Sequence, residues 1–80
     1  MYAMLISGDK EAKAFLAGQI VTNSGNLTRE FSFSEKSVVF NFRYRSDARI
    51  VLRRIAKAVK SPLLKDTLTH NGAELKIVKN

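Results

Sequence analysis

The stretch from Arg43 to Lys60, RYRSDARIVLRRIAKAVK, constrains the fold of this 80-residue chain more than any other. With about 100° between successive residues of a helix, its apolar side chains fall on one arc roughly 120° wide, with most basic side chains opposite. The apolar arc consists of Ala48, Val51, Leu52, Ile55, Ala58 and Val59. Such an arc has to be covered by an apolar surface from the rest of the chain. The stretch therefore predicts an amphipathic helix that packs on another layer of the protein.

Local signals predict where this helix begins and ends. Ser46 is a favourable N-cap, because its side-chain oxygen can accept a hydrogen bond from a free backbone N–H of the first turn. Asp47 then places negative charge at the positive end of the helix dipole. At the other end, Ser61-Pro62 stops the helix, because proline disfavours a helical residue before it. We therefore expect the helix to lie between Ser46 and Ser61.

Two stretches of alternating apolar and polar residues precede this helix. Leu27 to Phe33 and Val38 to Arg45 are predicted to be antiparallel strands joined by a turn at residues 34–37. Alignment about this turn gives the pairs Phe33–Val38, Phe31–Phe40, Arg29–Phe42 and Leu27–Tyr44. The face that results consists of Leu27, Phe31, Phe33, Val38, Phe40, Phe42 and Tyr44. A shift by one residue would expose this whole set, so we expect the register to be firm.

The remaining segments are predicted to be one further helix and further strands. Tyr2 to Ile6 is predicted to be a buried strand, and Asp9 to about Val21 a helix, although residues 18–25 are also compatible with a strand. Leu63 to Lys79 is predicted to be a hairpin about Asn71-Gly72, a pair typical of type I′ turns. This turn places Leu68 opposite Leu75 and Thr69 opposite Glu74. The order βαββαβ is that of a ferredoxin-like α+β sandwich, with an antiparallel sheet, two helices on one face and room for an extra C-terminal hairpin. We expect one such domain over residues 1–80.

Positive charge is concentrated in the stretch that forms the amphipathic helix. Seven of the 14 basic residues lie within residues 43–60 against one acid, so this stretch carries +6 of the net charge of +7. Five of the six arginines lie between positions 43 and 54, and the planar guanidinium matches pairs of phosphate oxygens. The candidate binding residues, named the basic patch below, are Arg43, Arg45, Arg49, Arg53, Arg54, Lys57 and Lys60. We expect Arg43 and Arg45 to lie on a central strand, on the sheet face that the two helices leave open.

The basic patch predicts a small, non-enzymatic protein that binds DNA or RNA through four to six phosphates. The alternative is an adaptor or inhibitor whose basic patch binds an acidic surface of a partner protein. A helix face that is merely solvated usually intersperses glutamate with lysine, and this face does not. The sequence does not determine whether the partner is DNA or RNA, whether it is single- or double-stranded, or whether binding is sequence-specific. It also does not determine whether the protein is a monomer or a dimer.

The aromatic residues of the two strands allow a second interpretation, as a platform on which bases stack. We favour a role in the core instead, because two amphipathic helices need an apolar surface to cover. Tyr2 and Tyr44 are the aromatic residues that we expect nearest to the surface.

Several other classes of protein are disfavoured. The chain has no cysteine, which excludes disulfides and thiolate metal sites and fits a reducing, cytoplasmic location. His70, the one imidazole, lies beside the Asn71-Gly72 turn and is expected to be exposed. No catalytic, metal-ligand or phosphate-loop motif occurs, so we expect no enzymatic activity and no cofactor. The longest apolar run, MYAMLI, is far shorter than the roughly 20 residues that span a bilayer. A basic amphipathic helix can also lie on a membrane surface, but this apolar arc contains no Trp or Phe and is needed for the core, so we expect no membrane partner.

Overall fold

The computed structural model describes residues 2–25, 27–33 and 38–79. Within these residues the chain forms two helices and six strands. In chain order they are β1 Tyr2–Gly8, α1 Lys10–Ser24, β2 Thr28–Phe33, β3 Val38–Phe42, α2 Arg45–Val59, β4 Leu63–Leu64, β5 Thr67–His70 and β6 Ala73–Lys79. Neither helix of the described chain is long and apolar enough to cross a membrane.

The strands form one antiparallel sheet in the order β2-β3-β1-β6-β5-β4. The apolar β1 lies inside the sheet, between β3 and β6, as its sequence predicted. The α+β class, the antiparallel sheet and the two helices are thus confirmed. The exact order βαββαβ is not matched, because three strands rather than one follow α2. The chain folds back twice there, at residues 65–66 and again at 71–72, where Lys65, Asn71 and Gly72 have positive φ.

The core lies between the sheet and the two helices, which contact each other and the central strands. The helices contribute Ala12, Leu16, Ala17, Ile20, Ala48, Val51, Leu52 and Ile55. The strands contribute Met4, Ile6, Val38, Phe40, Phe42, Leu68, Ala73 and Leu75. The apolar arc predicted for α2 is confirmed except at Ala58, which is exposed, while Ala56 packs against the core instead. Because Phe40 and Phe42 are buried in this core, the interpretation of those two rings as core residues is confirmed.

α1 is longer than the sequence predicted and includes most of the ambiguous segment 18–25. Asp9 caps its first turn, since its Oδ2 accepts a hydrogen bond from the backbone N–H of Ala12 at 3.0 Å. Near the other end, Asn23 donates through Nδ2 to the carbonyl oxygen of Gln19 at 2.7 Å. The helix continues to Ser24 because Ile20 and Ser24 are both buried on its inner side.

α2 begins at Arg45, and the prediction that Ser46 caps it is wrong. Tyr44 is the N-cap residue, in an extended conformation and without a side-chain cap. Its carbonyl oxygen accepts hydrogen bonds from Asp47 N at 3.2 Å and from Ala48 N at 3.3 Å. The first turn is therefore closed by the backbone alone. The end of α2 agrees with the prediction, because Lys60 takes a left-handed conformation just before Ser61-Pro62.

The pairing of β2 with β3 is confirmed near their connection and wrong farther from it. Phe33 pairs with Val38 and Phe31 with Phe40, as predicted. A bulge then shifts the register so that Thr28, rather than Arg29, pairs with Phe42. The pair Leu27–Tyr44 does not form either, because β3 ends at Phe42 and the chain turns into α2. The turn at residues 34–37 and the side chains of Phe31 and Phe33 lie outside the part of the chain that the structure describes.

The hairpin of β5 and β6 is confirmed in its turn and its register. Leu68 pairs with Leu75 and Thr69 with Glu74. The turn also contacts the end of β1, because the backbone N–H of Asp9, the residue after β1, donates to the carbonyl oxygen of Gly72 at 3.1 Å. Gly8 adopts φ 108 at this approach, and a Cβ there would overlap the carbonyl oxygen of Gly72. Only glycine fits this contact without strain.

Candidate polyanion-binding surface

The basic patch follows the chain from the end of β3 to the end of α2. Arg43 lies in the connection between these elements, and Arg45 is the first residue of α2. The prediction that both lie on a central strand is therefore wrong, because the strand ends earlier than its alternating pattern suggests. Every residue of the patch is exposed or half-buried. Contacts within the chain divide these residues into three groups.

The first group is the pair Arg45 and Arg49, which share one carboxylate. Arg45 Nη2 donates to Asp66 Oδ2, and Arg49 Nε lies 3.4 Å from Asp66 Oδ1. The hydrogen bond to Asp66 and the charge of its carboxylate raise the pKa of Arg45. Arginine is protonated at every physiological pH in any case, so the consequence of these contacts is that one carboxylate offsets one of the two positive charges of the pair.

Asp66 is the residue that the sequence analysis missed. It lies in the turn between β4 and β5, where its backbone oxygen accepts from Ile77 N at 3.0 Å. It is the one acid between Asp47 and Glu74, which is the only trace of its role in the sequence. The role of Asp66 becomes visible only in the folded structure, where the β4–β5 turn lies beside the first turn of α2.

The second group is Arg54 alone, which joins the two helices. Its Nη1 donates to the carbonyl oxygen of Asn23 at 2.9 Å. Asn23 belongs to the last turn of α1, where backbone carbonyls have no partner within the helix. Arg54 therefore helps to cap α1, and its guanidinium is partly engaged by this contact.

The third group supplies the charge that remains for a partner. In the described part of the chain, the side chains of Arg53, Lys57 and Lys60 make no hydrogen bond or ion pair, and all three are exposed. Arg43 Cζ lies 5.6 Å from the ring centroid of Tyr44, a cation–π contact. The row from Arg53 to Lys60 extends about 10 Å along α2, at 1.5 Å per residue.

Two large apolar side chains lie in the same stretch of chain as these cations. Tyr44 is 56% exposed and Ile50 is 38% exposed. Tyr44 thus lies at the surface, as expected, whereas Tyr2 is half-buried in β1. A basic surface that also displays a tyrosine offers both charge and a flat apolar contact to a partner.

A cleft of about 290 Å³ lies at the beginning of α1, lined by residues outside the basic patch. His70 borders this cleft and is half-buried, so the prediction that it is exposed is wrong. Its ring stacks on Phe15 with centroids 5.3 Å apart. Its Nδ1 lies 3.2 Å from Ser61 Oγ and its Nε2 lies 3.3 Å from Asn71 Nδ2. When Asn71 donates to Nε2, the proton resides on Nδ1 and is donated to Ser61, so both nitrogens are satisfied.

Comparison with known proteins gives no relative for this chain. It matches no protein-family model, no curated protein and no solved structure. The fold class by itself does not imply an activity. The function therefore has to be argued from the charges and contacts of the surface described above.

Proposed function

We propose that this protein binds nucleic acid through its phosphate backbone, with the outer face of α2 as the contact surface. The observation that carries the proposal is the exposed row Arg53, Lys57 and Lys60, which has no acidic partner in the described part of the chain. Unpaired cations at helical spacing attract a polyanion, and binding releases the counterions condensed on its phosphates. Such contacts position the protein on the strand and read no sequence.

The contacts within the chain reduce the number of phosphates that the surface can neutralise. Asp66 engages Arg45 and Arg49, and the carbonyl of Asn23 engages Arg54. Four cations of the patch then remain without a hydrogen bond or ion pair in the described part of the chain: Arg43, Arg53, Lys57 and Lys60. With a slope near −0.9 per phosphate, four contacts give a log–log salt slope of about −3.5 on duplex DNA. A value of −4 to −5 would apply if more of the patch were free.

The rest of the proposal follows from the same surface. Phosphate binding needs no reacting group, so the protein is non-enzymatic and needs no cofactor. The absence of cysteine fits a cytoplasmic location. For the fold, the run β2-β3-β1-β6 with a helix after β1 and another after β3 supports a ferredoxin-like core, to which β4 and β5 are added at one edge.

The test is a salt series of binding to a labelled 20-bp duplex, measured by fluorescence anisotropy. The wild type should follow the slope given above, and the double variant Arg53→Ala/Lys57→Ala should lose about two from it. The matched control is Lys10→Ala/Lys76→Ala, which removes the same charge from α1 and β6 and should keep the wild-type slope. A wild-type slope near zero, or equal losses in the two double variants, would contradict the proposal. Thermal melting by circular dichroism confirms that each variant is folded.

A second candidate function is supported by the exposed apolar side chains. Tyrosine and arginine are the typical anchors of protein interfaces, and Tyr44 and Ile50 are exposed near the arginines of the patch. The contact of Asp66 with Arg45 illustrates that this surface accepts a carboxylate. An adaptor or inhibitor would use the same patch against an acidic protein. It should capture a defined partner from nuclease-treated lysate, and Tyr44→Ala or Ile50→Ala should abolish the capture. Loss of every co-purifying protein after nuclease treatment would remove the support for this candidate.

A further inference from the structure

We propose that the preferred partner is a single strand, and that Tyr44 stacks on an unpaired base of the strand whose phosphates α2 holds. This inference rests on the proposed function and specifies its ligand. In a duplex, each base is already stacked and paired, so an aromatic side chain at the surface adds little to duplex binding. In a single strand the base faces are available, and stacking on an aromatic ring adds to the contacts with phosphates.

Tyr44 differs from the other aromatic residues in where it lies. Phe40 and Phe42 are buried and have no surface for a base. Phe15 is 46% exposed, but it stacks on His70 and borders the cleft that contains Asp9 and Glu11. Those carboxylates repel phosphate. Of the aromatic side chains that the structure describes, Tyr44 is the one that is well exposed and flanked by cations.

The backbone and one neighbour hold Tyr44 in place. Its carbonyl oxygen accepts two hydrogen bonds from the first turn of α2, which fixes the residue at the helix N-terminus. The guanidinium of Arg43 lies over its ring. A ring with few torsions that is already positioned loses little conformational entropy when a base stacks on it. More than half of its surface remains exposed in this arrangement.

The distance to the unpaired cations allows one strand to reach both features. Arg53 follows Tyr44 by nine residues, which is about 13 Å along α2 at 1.5 Å per residue and about 180° around it at 100° per residue. A strand that places a base on Tyr44 therefore has to pass around the helix before its phosphates reach Arg53 and Lys57, a path that a flexible single strand can follow and a stiff duplex cannot. Arg43, which precedes Tyr44 in the chain, is the cation that binds the phosphate beside the stacked base, because Arg45 on the other side is held by Asp66.

The experiment compares wild type, Tyr44→Ala and Tyr44→Phe on four labelled probes: 15-nucleotide oligo-dT and oligo-rU, and 15-bp DNA and RNA duplexes. The wild type should bind the single strands more tightly than the duplexes. Tyr44→Ala should weaken single-strand binding by about 5-fold to 100-fold, the loss of one stacked base, and change duplex binding less than about 2-fold. Tyr44→Phe keeps the ring and should retain the affinity. Comparison of the affinities for oligo-dT and oligo-rU shows whether the single strand that is preferred is DNA or RNA.

Tyrosine emission supplies a direct readout of stacking. The chain has two tyrosines and no tryptophan, so the variant Tyr2→Phe leaves Tyr44 as the one strong emitter. Saturation of this variant with unlabelled oligo-dT should quench its emission. Unchanged emission at saturation, or equal losses of single-strand and duplex affinity in Tyr44→Ala, would overturn the inference. If the protein binds with the expected salt slope but shows no preference for single strands, the inference about Tyr44 is overturned and the proposed function stands. If the protein binds none of the four probes, the inference and the proposed function are both overturned.

Discussion

Asp66 binds Arg45 across 21 residues of sequence and ties the β4–β5 turn to the first turn of α2. The side chain of Arg45 is 52% exposed and that of Asp66 is 21% exposed. An ion pair so accessible to water adds little to stability. Its main consequence is electrostatic, because it neutralises charge at one end of the basic patch and leaves the charge at the other end free.

Replacement of Asp66 should therefore strengthen polyanion binding. Asp66→Asn keeps the size of the side chain but releases Arg45 and Arg49, so the salt slope should steepen by about one to two. The measurement is the duplex titration described above. Glu74→Gln is the matched control, because it makes the same change in net charge at a carboxylate that lies 3.7 Å from Lys76. Equal gains in the two variants would mean that net charge matters and that the release of the two arginines does not.

Ile55 and Arg53 test the orientation of α2. Ile55 is fully buried and Arg53 is exposed. Ile55→Ala should lower the free energy of unfolding by about 2–4 kcal/mol through lost burial and a cavity, while Arg53→Ala should be nearly neutral. Urea denaturation followed by circular dichroism measures both. Similar, small changes in the two variants would be incompatible with the helix orientation described here.

The neighbours Arg53 and Arg54 should separate binding from stability. Arg54→Ala removes the hydrogen bond to the carbonyl of Asn23, which should cost about 0.5–1 kcal/mol of unfolding free energy. Arg53→Ala should leave stability unchanged and reduce the salt slope by about one. Paired urea and anisotropy measurements on the two variants check this. The division of the basic patch into groups would be wrong if Arg54→Ala left stability unchanged.

Replacement by alanine should change the stability of the protein in opposite directions at two glycines. At Gly8, a Cβ would overlap the carbonyl of Gly72, and φ is 108, so Gly8→Ala should cost about 2 kcal/mol or more. At Gly18, within α1, the space around an added Cβ is open apart from the adjacent backbone of the helix itself. Gly18→Ala should therefore stabilise the protein by about 0.5–1 kcal/mol. Thermal melting distinguishes them, and a tolerated Gly8→Ala would contradict the close contact of β1 with the turn before β6.

The sequence by itself determined the features that depend on neighbouring residues. The spacing of Val51, Leu52 and Ile55 specified the buried face of α2, because residues three and four apart share one side of a helix. The Asn71-Gly72 pair specified the register of β5 and β6, because its two positive φ values define the turn. The concentration of positive charge between residues 43 and 60 was likewise visible in the sequence.

Only the tertiary structure decided which of these charges are free. Asp66 lies 21 residues from Arg45, and Asn23 lies 31 residues from Arg54. No local pattern encodes such contacts, because they form only when distant turns and helix ends are packed against α2. Tyr44 does not lie on the aromatic strand face predicted for it, for a similar reason. The bulge in β2 and the early end of β3 depend on how the two strands join the sheet and α2, and alternation within one strand does not reveal where pairing stops.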